Sequence, residues 1–369
     1  MTKKTLAWTL YALIIATLAA TACKLGGGGG GGGHHGGGGG GGGLGGGGGA
    51  FSCTSGTTYK GDQVGGGDFF GWCVDHSSNA FSFADLTTSS ATTNGGLTFN
   101  VSYNNLLNFT ASADSGAAVE MPGTQLLVNP GTLLTGIGPS QNPVLSIFQQ
   151  SGFCPSSGTS YRFSALPKST WTGSNPAYGT VSLSGSNATL TAFDLNGNLQ
   201  GSETDPYTCD PSTSILTVTQ SNGKVRNVTI SPQGLFIERA GDGVGGLPEA
   251  TVSLESTAAR GTFLGIIYKA NAASPTQTVG FKPGGCAATL CGFDPTSSGQ
   301  PSNGMTLNLG TESSFGLFTN GSLLDANTDR PFVSVANIVS TGAGSKVILY
   351  GITFDATANT PVAVLLLEQ

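Results

Sequence analysis

The chain has 369 residues, of which 61 are glycine and 9% are charged, and its 20 acids exceed its 14 Lys and Arg to give a net charge of −6. That balance argues against nucleic acid as a partner, because a phosphate backbone would be repelled. Sparse charge with Ser, Thr, Asn and Gly at the polar positions disfavours long surface helices and favours strands joined by tight turns.

Residues 1–22, MTKKTLAWTLYALIIATLAATA, carry Lys3 and Lys4, an apolar stretch from Leu6 to Ala20, and small residues after it. This is the three-part layout of an export signal, with an apolar run too short for a default membrane span. The segment Ala20-Thr21-Ala22-Cys23 resembles the lipobox of bacterial lipoproteins, with Ala20 where Leu is usual. The resemblance implies that Cys23 is acylated, becomes the first mature residue and ties the protein to a membrane. Acyl chains contribute about 0.8 kcal/mol per buried CH₂, so more than one makes a stable anchor. Lys24, standing where Asp would favour inner-membrane retention, implies the outer membrane, on its periplasmic or its surface face. An ordinary signal peptide cut elsewhere is the alternative, and the resemblance stops at Cys23.

Within the segment 23–50, the run from Gly26 to Gly49 is glycine interrupted only by His34, His35 and Leu44. Glycine loses the most backbone freedom on ordering and has no side chain to bury, so this segment reads as a tether with an end-to-end distance of roughly 27 Å. Two adjacent imidazoles on such a chain lack the further ligands that a metal site needs, and no metal or other cofactor is expected.

Six cysteines remain after Cys23: Cys53, Cys73, Cys154, Cys209, Cys286 and Cys291. An even set in an exported chain suggests disulfides, with fifteen formal pairings, of which neighbour pairing is the simplest; buried free thiols are the alternative. There is no CxxC, so neither a redox dithiol nor a zinc knuckle has support.

The body reads as all-β: antiparallel meander, barrel or sandwich units. Residues 51–149 form a β-rich module with long loops, 150–245 a first β unit and 246–369 a second, so that the last 220 residues make two related halves. Strand patterns lie at 178–185, 187–195, 215–220, 225–230, 261–270, 332–339 and 346–354, and Asn196-Gly197 and Asn222-Gly223 supply the positive φ values of tight hairpins. The terminal PVAVLLLEQ is apolar enough that it must close a barrel or an inner sheet. Two echoes stand out. SPQGLF (231–236) resembles SSFGLF (313–318), and CTSGTTYK (53–60) resembles CPSSGTSYR (154–162). The second pair would set a disulfide cysteine on a turn that launches a strand.

Chemistry is thinly supported. His76 is the sole histidine outside the tether, adjacent Asp75 would point to the opposite strand face, and no nucleophile motif is present, so no catalytic residue is assigned. Carbohydrate hydrolysis would need two convergent carboxylates, and Glu203, Asp205, Glu238, Asp242 and Glu249 are scattered in sequence. DANTD (325–329) and DLNGN (194–198) resemble oxygen-ligand loops but lack the glycine and glutamate positions of a calcium hand, so both read as turns. Phe70 and Trp72, with Phe69, and Trp171 are candidate ligand-contact aromatics; packing in a β core is the competing reading.

The expected function is a membrane-anchored, non-enzymatic extracytoplasmic lipoprotein whose β-rich domain meets an envelope protein or a glycan. The alternatives are a container for a small apolar or glycan ligand, since closed meanders enclose cavities, and a hydrolase working through two carboxylates.

Overall fold

A computed structural model describes the chain from Cys53 to Glu368, apart from 66–67, 76, 79, 88–92, 100–105, 114–124, 130–131, 137–141, 240–242, 255–260, 285–289, 296–301 and 342–343. Between 93 and 136 it describes backbone alone. The leader, Cys23, the tether with His34 and His35, His76, Asp242 and Cys286 lie outside the described residues.

The body is all-β and consists of three consecutive up-and-down meanders. The first is a closed barrel of β1 (Thr57–Gln63), β2 (Phe69–Asp75), β3 (Ala80–Asp85), β4 (Thr93–Phe99), β5 (Leu106–Ala113), β6 (Gln125–Asn129), β7 (Thr132–Gly136) and β8 (Val144–Phe148), with β8 pairing back onto β1. The middle one closes in the same way through β9 (Ser160–Ala165), β10 (Tyr178–Ser184), β11 (Asn187–Phe193), β12 (Leu199–Asp210), β13 (Ile215–Thr219), β14 (Val225–Ile230), β15 (Phe236–Arg239) and β16 (Val244–Pro248). The third comprises β17 (Phe263–Lys269), β18 (Thr276–Pro283), β19 (Leu290–Phe293), β20 (Ser302–Asn308), β21 (Thr311–Ser314), β22 (Leu317–Asp325), β23 (Thr328–Thr341), β24 (Gly344–Asp355) and β25 (Thr360–Glu368). There β25 pairs with β17 and β20 with β22, which closes an eight-stranded ring and leaves β21 as a flap on β22. The last 220 residues are thus two meanders of one topology.

Local chemistry explains the turns. At 194–198, 220–224 and 231–235 the first residue's N–H bonds the carbonyl four places on, while a glycine in the left-handed region, Gly197, Gly223 or Gly234, donates back to the first carbonyl. These are hairpins with one left-handed glycine, so the two Asn-Gly pairs use a single positive φ each instead of two. The SPQGLF and SSFGLF echo marks turn chemistry, not a repeated position. It precedes β15, seventh in its meander, and β22, fifth in its ring. The other echo is positional. Gly56 (φ +84°) and Gly158 (φ +93°) each follow a cysteine and launch the first strand of a barrel. Cys53 is bonded to Cys73 on β2, and Cys154 to Cys209 on β12.

The three meanders share a core. Side chains alternate across a strand, so each barrel wall has an inner and an outer face. Outer residues of all three, among them Leu145, Ile147, Ile237, Leu247, Ile266 and Leu365, form one buried cluster. Gly245 of β16 lies at this junction, where a Cβ would meet Leu145 Cδ2 at 3.1 Å and Tyr350 Cδ2 at 3.2 Å. β25 explains its own sequence. Val362, Val364 and Leu366 fill the third lumen while Ala363, Leu365 and Leu367 enter the junction, so both faces must be apolar.

Candidate functional site

The middle barrel holds a cavity of about 80 Å³ along its inner face. The register defines that face: Tyr161 opposes Val181, Val181 opposes Leu190, and Leu190 opposes Glu203, while Leu216 opposes Val228, which opposes Glu238. One end is closed by the Cys154–Cys209 disulfide and by Phe153, which packs on the cluster of Tyr161, Leu183, Leu216, Ile230 and Phe236. Burial pushes the Tyr161 hydroxyl up to about 12, against a small opposing effect of Thr159, so the phenol stays neutral at ordinary pH.

The other end is polar. Glu203, Asp205, Arg226 and Glu238 line the cavity there. Arg226 Nη1 donates to Glu238 Oε1 at 2.5 Å, and only 7% of the Glu238 side chain is exposed. Gln220 Nε2 donates to Glu203 Oε1 at 2.9 Å, and the Ser221 N–H donates to Asp205 Oδ1 at 3.2 Å. These two bonds span a seam. From Leu199 to Pro206, β12 pairs with β11, and its ladder with β13 covers Tyr207–Asp210. The β13–β14 hairpin therefore meets Glu203 and Asp205 of β12 at their carboxylates, which accept from the Gln220 side chain and the Ser221 N–H, where a continuous wall would have backbone-to-backbone hydrogen bonds.

Three carboxylates that are scattered in sequence thus share one lumen. Catalysis on a sugar lacks space: a cavity that holds benzene measures about 150 Å³, and a pyranose is larger than benzene. Glu249, the remaining described candidate, lies outside the lumen and pairs with Arg162 at 2.5 Å.

The other candidates are placed elsewhere. Phe70 and Trp72 lie on the inner face of β2; Trp72 is fully buried and stacks on Phe83 at 4.7 Å, with Phe81 and Phe70 rings at 6.5 and 6.4 Å. Trp171, in the loop after β9, packs edge-on against Phe354 of the third meander at 5.9 Å and donates its indole N–H to the Pro176 carbonyl. Cys291 sits on β19. DANTD is a two-residue hairpin turn with Ala326 and Asn327 at positive φ, and Asp325 binds Lys269 Nζ at 2.5 Å and lies 3.6 Å from Arg330. In DLNGN, burial of Asp194 opposes its ionisation, but hydrogen bonds from Asn198, Asn196 and Gln200 outweigh that and hold the carboxyl below its ordinary range.

One signal for the lumen was present in the sequence. In VRNVTI the strand period puts Arg226 on the face of Val228 and Ile230, a cation on an apolar stripe. On β12 the same period puts Glu203 and Asp205 on the face of Tyr207 and Cys209, which pack on the barrel cluster, and pairing with Leu190 and Ala188 fixes that face as the inner one.

No protein-family model matches the chain, and no curated protein matches it. Among solved structures, a single-residue variant of transferrin binding protein B from Haemophilus parasuis Hp5 is similar at 10% identity and a TM-score of 0.26. The isotype 1 transferrin binding protein B of serogroup B Neisseria meningitidis is similar at 11% identity and a TM-score of 0.20. Each match covers 82% of this chain, which spans 65% of the length of those structures. At such values the likeness decides nothing about ligand or partner.

Proposed function

We propose that the protein is a non-enzymatic extracytoplasmic binding protein, lipid-anchored at Cys23 to the outer membrane, whose middle barrel carries a small apolar ligand. One observation carries the ligand: a closed meander with an apolar wall, a capped floor and a polar rim encloses unfilled volume. The anchor and the location rest on the leader and the lipobox resemblance alone. The disulfides Cys53–Cys73 and Cys154–Cys209, both among the described residues, fit an oxidising compartment. The shared junction core supports the scaffold part of this reading, because it ties the three barrels into one presenting body on the end of the glycine tether.

Native mass spectrometry of the protein purified from its own envelope, before and after denaturation, tests this. The expected result is a discrete small adduct that denaturation releases. A bare mass with a stoichiometric protein partner would overturn the ligand and favour docking of an envelope protein on the barrel surface. Incorporation of labelled palmitate that is lost in Cys23→Ala tests the anchor, and labelling that persists in the variant would refute it.

A further inference from the structure

The middle and third barrels treat buried charge differently. Inside one end of the third ring, Lys269 and Arg330 face Asp325 and Asp355: Lys269 Nζ is 2.5 Å from Asp325 Oδ2, and Arg330 Nη2 is 2.6 Å from Asp355 Oδ2. Two cations answer two carboxylates. In the middle barrel three carboxylates meet one guanidinium, and Arg226 is engaged by Glu238. Glu203 and Asp205 are left with neutral donors, Gln220 Nε2 and the Ser221 N–H. Neither has a further protein partner among the described residues, so Glu203 Oε2 and Asp205 Oδ2 are uncommitted.

Asp205 is 4% exposed. A carboxylate withdrawn from water without a counter-ion is costly, and native structures pair such groups or give them a ligand. An ammonium has three N–H donors and no acceptor, which suits two open carboxylate oxygens. Beneath them the wall is Val181, Leu190, Val218 and Val228, which suits unbranched methylenes. The seam beside β12 leads to this place, since the groups that bridge it are the ones that hold Glu203 and Asp205.

Resting on the ligand-carrying reading above, we infer that the middle barrel binds an alkylamine: an unbranched chain on the valine and leucine wall, its ammonium between Glu203 and Asp205, admitted through the seam between β12 and the β13–β14 hairpin. An amphiphile with an anionic head meets repulsion at the same rim.

The test uses the full chain carrying Cys23→Ala, titrated by calorimetry with ethylamine through butylamine, butanol and butanoate, chains short enough for the cavity of about 80 Å³. Butylamine is expected to bind at least about tenfold tighter than butanol, as one charge-assisted hydrogen bond suffices for that factor. Butanoate is expected to bind weakest. Glu203→Gln with Asp205→Asn should bring butylamine to the level of butanol and leave butanol unchanged. Glu203→Gln alone, at a half-buried position, gives part of the effect if the double variant is unstable. Equal binding of amine, alcohol and acid would overturn the inference and leave the apolar container standing. No binding of any of the three, with no shift of the Val218 and Val228 methyl resonances, would overturn both.

Discussion

The middle and third meanders share one topology and differ in what fills them. In the third, Phe263, Phe281, Phe318 and Phe332 meet Leu and Val from every side in a packed lumen. Glycines make room for the rings: a Cβ on Gly351 would come within 2.1 Å of Phe332 Cζ. In the middle barrel the corresponding space is lined mostly by Val, Leu, Ile and Ala, with Tyr161 and Phe236 as its aromatic residues, charges at one end and volume left over. Closing eight strands sets the diameter of a barrel, and the residues on its inner face decide whether it is a core or a container.

Substitutions in the two lumens sharpen or break that contrast. The largest effect is expected from Phe332→Ala, which empties the packed lumen at a 1% exposed site and should cost about 3–5 kcal/mol in urea unfolding. A loss under 1 kcal/mol would show that the third lumen is loose (~1 against ~4). Next comes Arg226→Met, which removes the guanidinium from buried Glu238 and should cost about 2–4 kcal/mol, with Arg226→Met and Glu238→Leu together recovering most of it. A double variant no better than the single would mean that the pair contributes by packing alone. A smaller and opposite pair of effects separates the lumens directly. Ala188→Leu, pointing at the cavity, should stabilise by about 1 kcal/mol, whereas Ala336→Leu in the third lumen should destabilise by about 1–3 kcal/mol. The same sign for both, read from thermal melts, would erase the distinction.

The smallest effect is one of pH. Hydrogen bonds from the Ala358 and Thr357 N–H groups and the Arg330 guanidinium, opposed in part by burial, hold the Asp355 carboxyl below its ordinary range. A carboxyl with a lower pKa folded than unfolded gives stability that is present above about pH 4 and is lost as pH falls through the folded value. Asp355→Asn should therefore flatten the acid limb of the stability curve below about pH 4, with little change in its shape near neutrality. An unchanged acid limb would assign that limb to other carboxyls.

Much of the fold is legible residue by residue. The pattern NATLTAF at 187–193 is strand β11 with Ala188 and Ala192 inward, and the double-faced apolarity of PVAVLLLEQ is the mark of a strand with a core on both sides. Glycines after a cysteine start the first two barrels. The aromatic run at 69–72 left two readings open, and three-dimensional pairing with Tyr59 and Phe83 sets Trp72 inside a barrel wall. Trp171 gives no hint in its own loop of Phe354, which comes from another barrel.

The sequence by itself determined the all-β class, the strand patterns at 178–185, 187–195, 215–220, 225–230, 261–270, 332–339 and 346–354 and the two Asn-Gly turns, because side-chain alternation and left-handed glycines act over a few residues. Only the tertiary structure decided the closures β8 on β1, β16 on β9 and β25 on β17, and with them which face of β12 looks inward. The physical reason is range. Alternation separates a strand's two faces but does not say which strands stand beside it, so Glu203 and Asp205, on the face of Tyr207 and Cys209, join one lumen only when inward Leu190 and Ala188 stand opposite them.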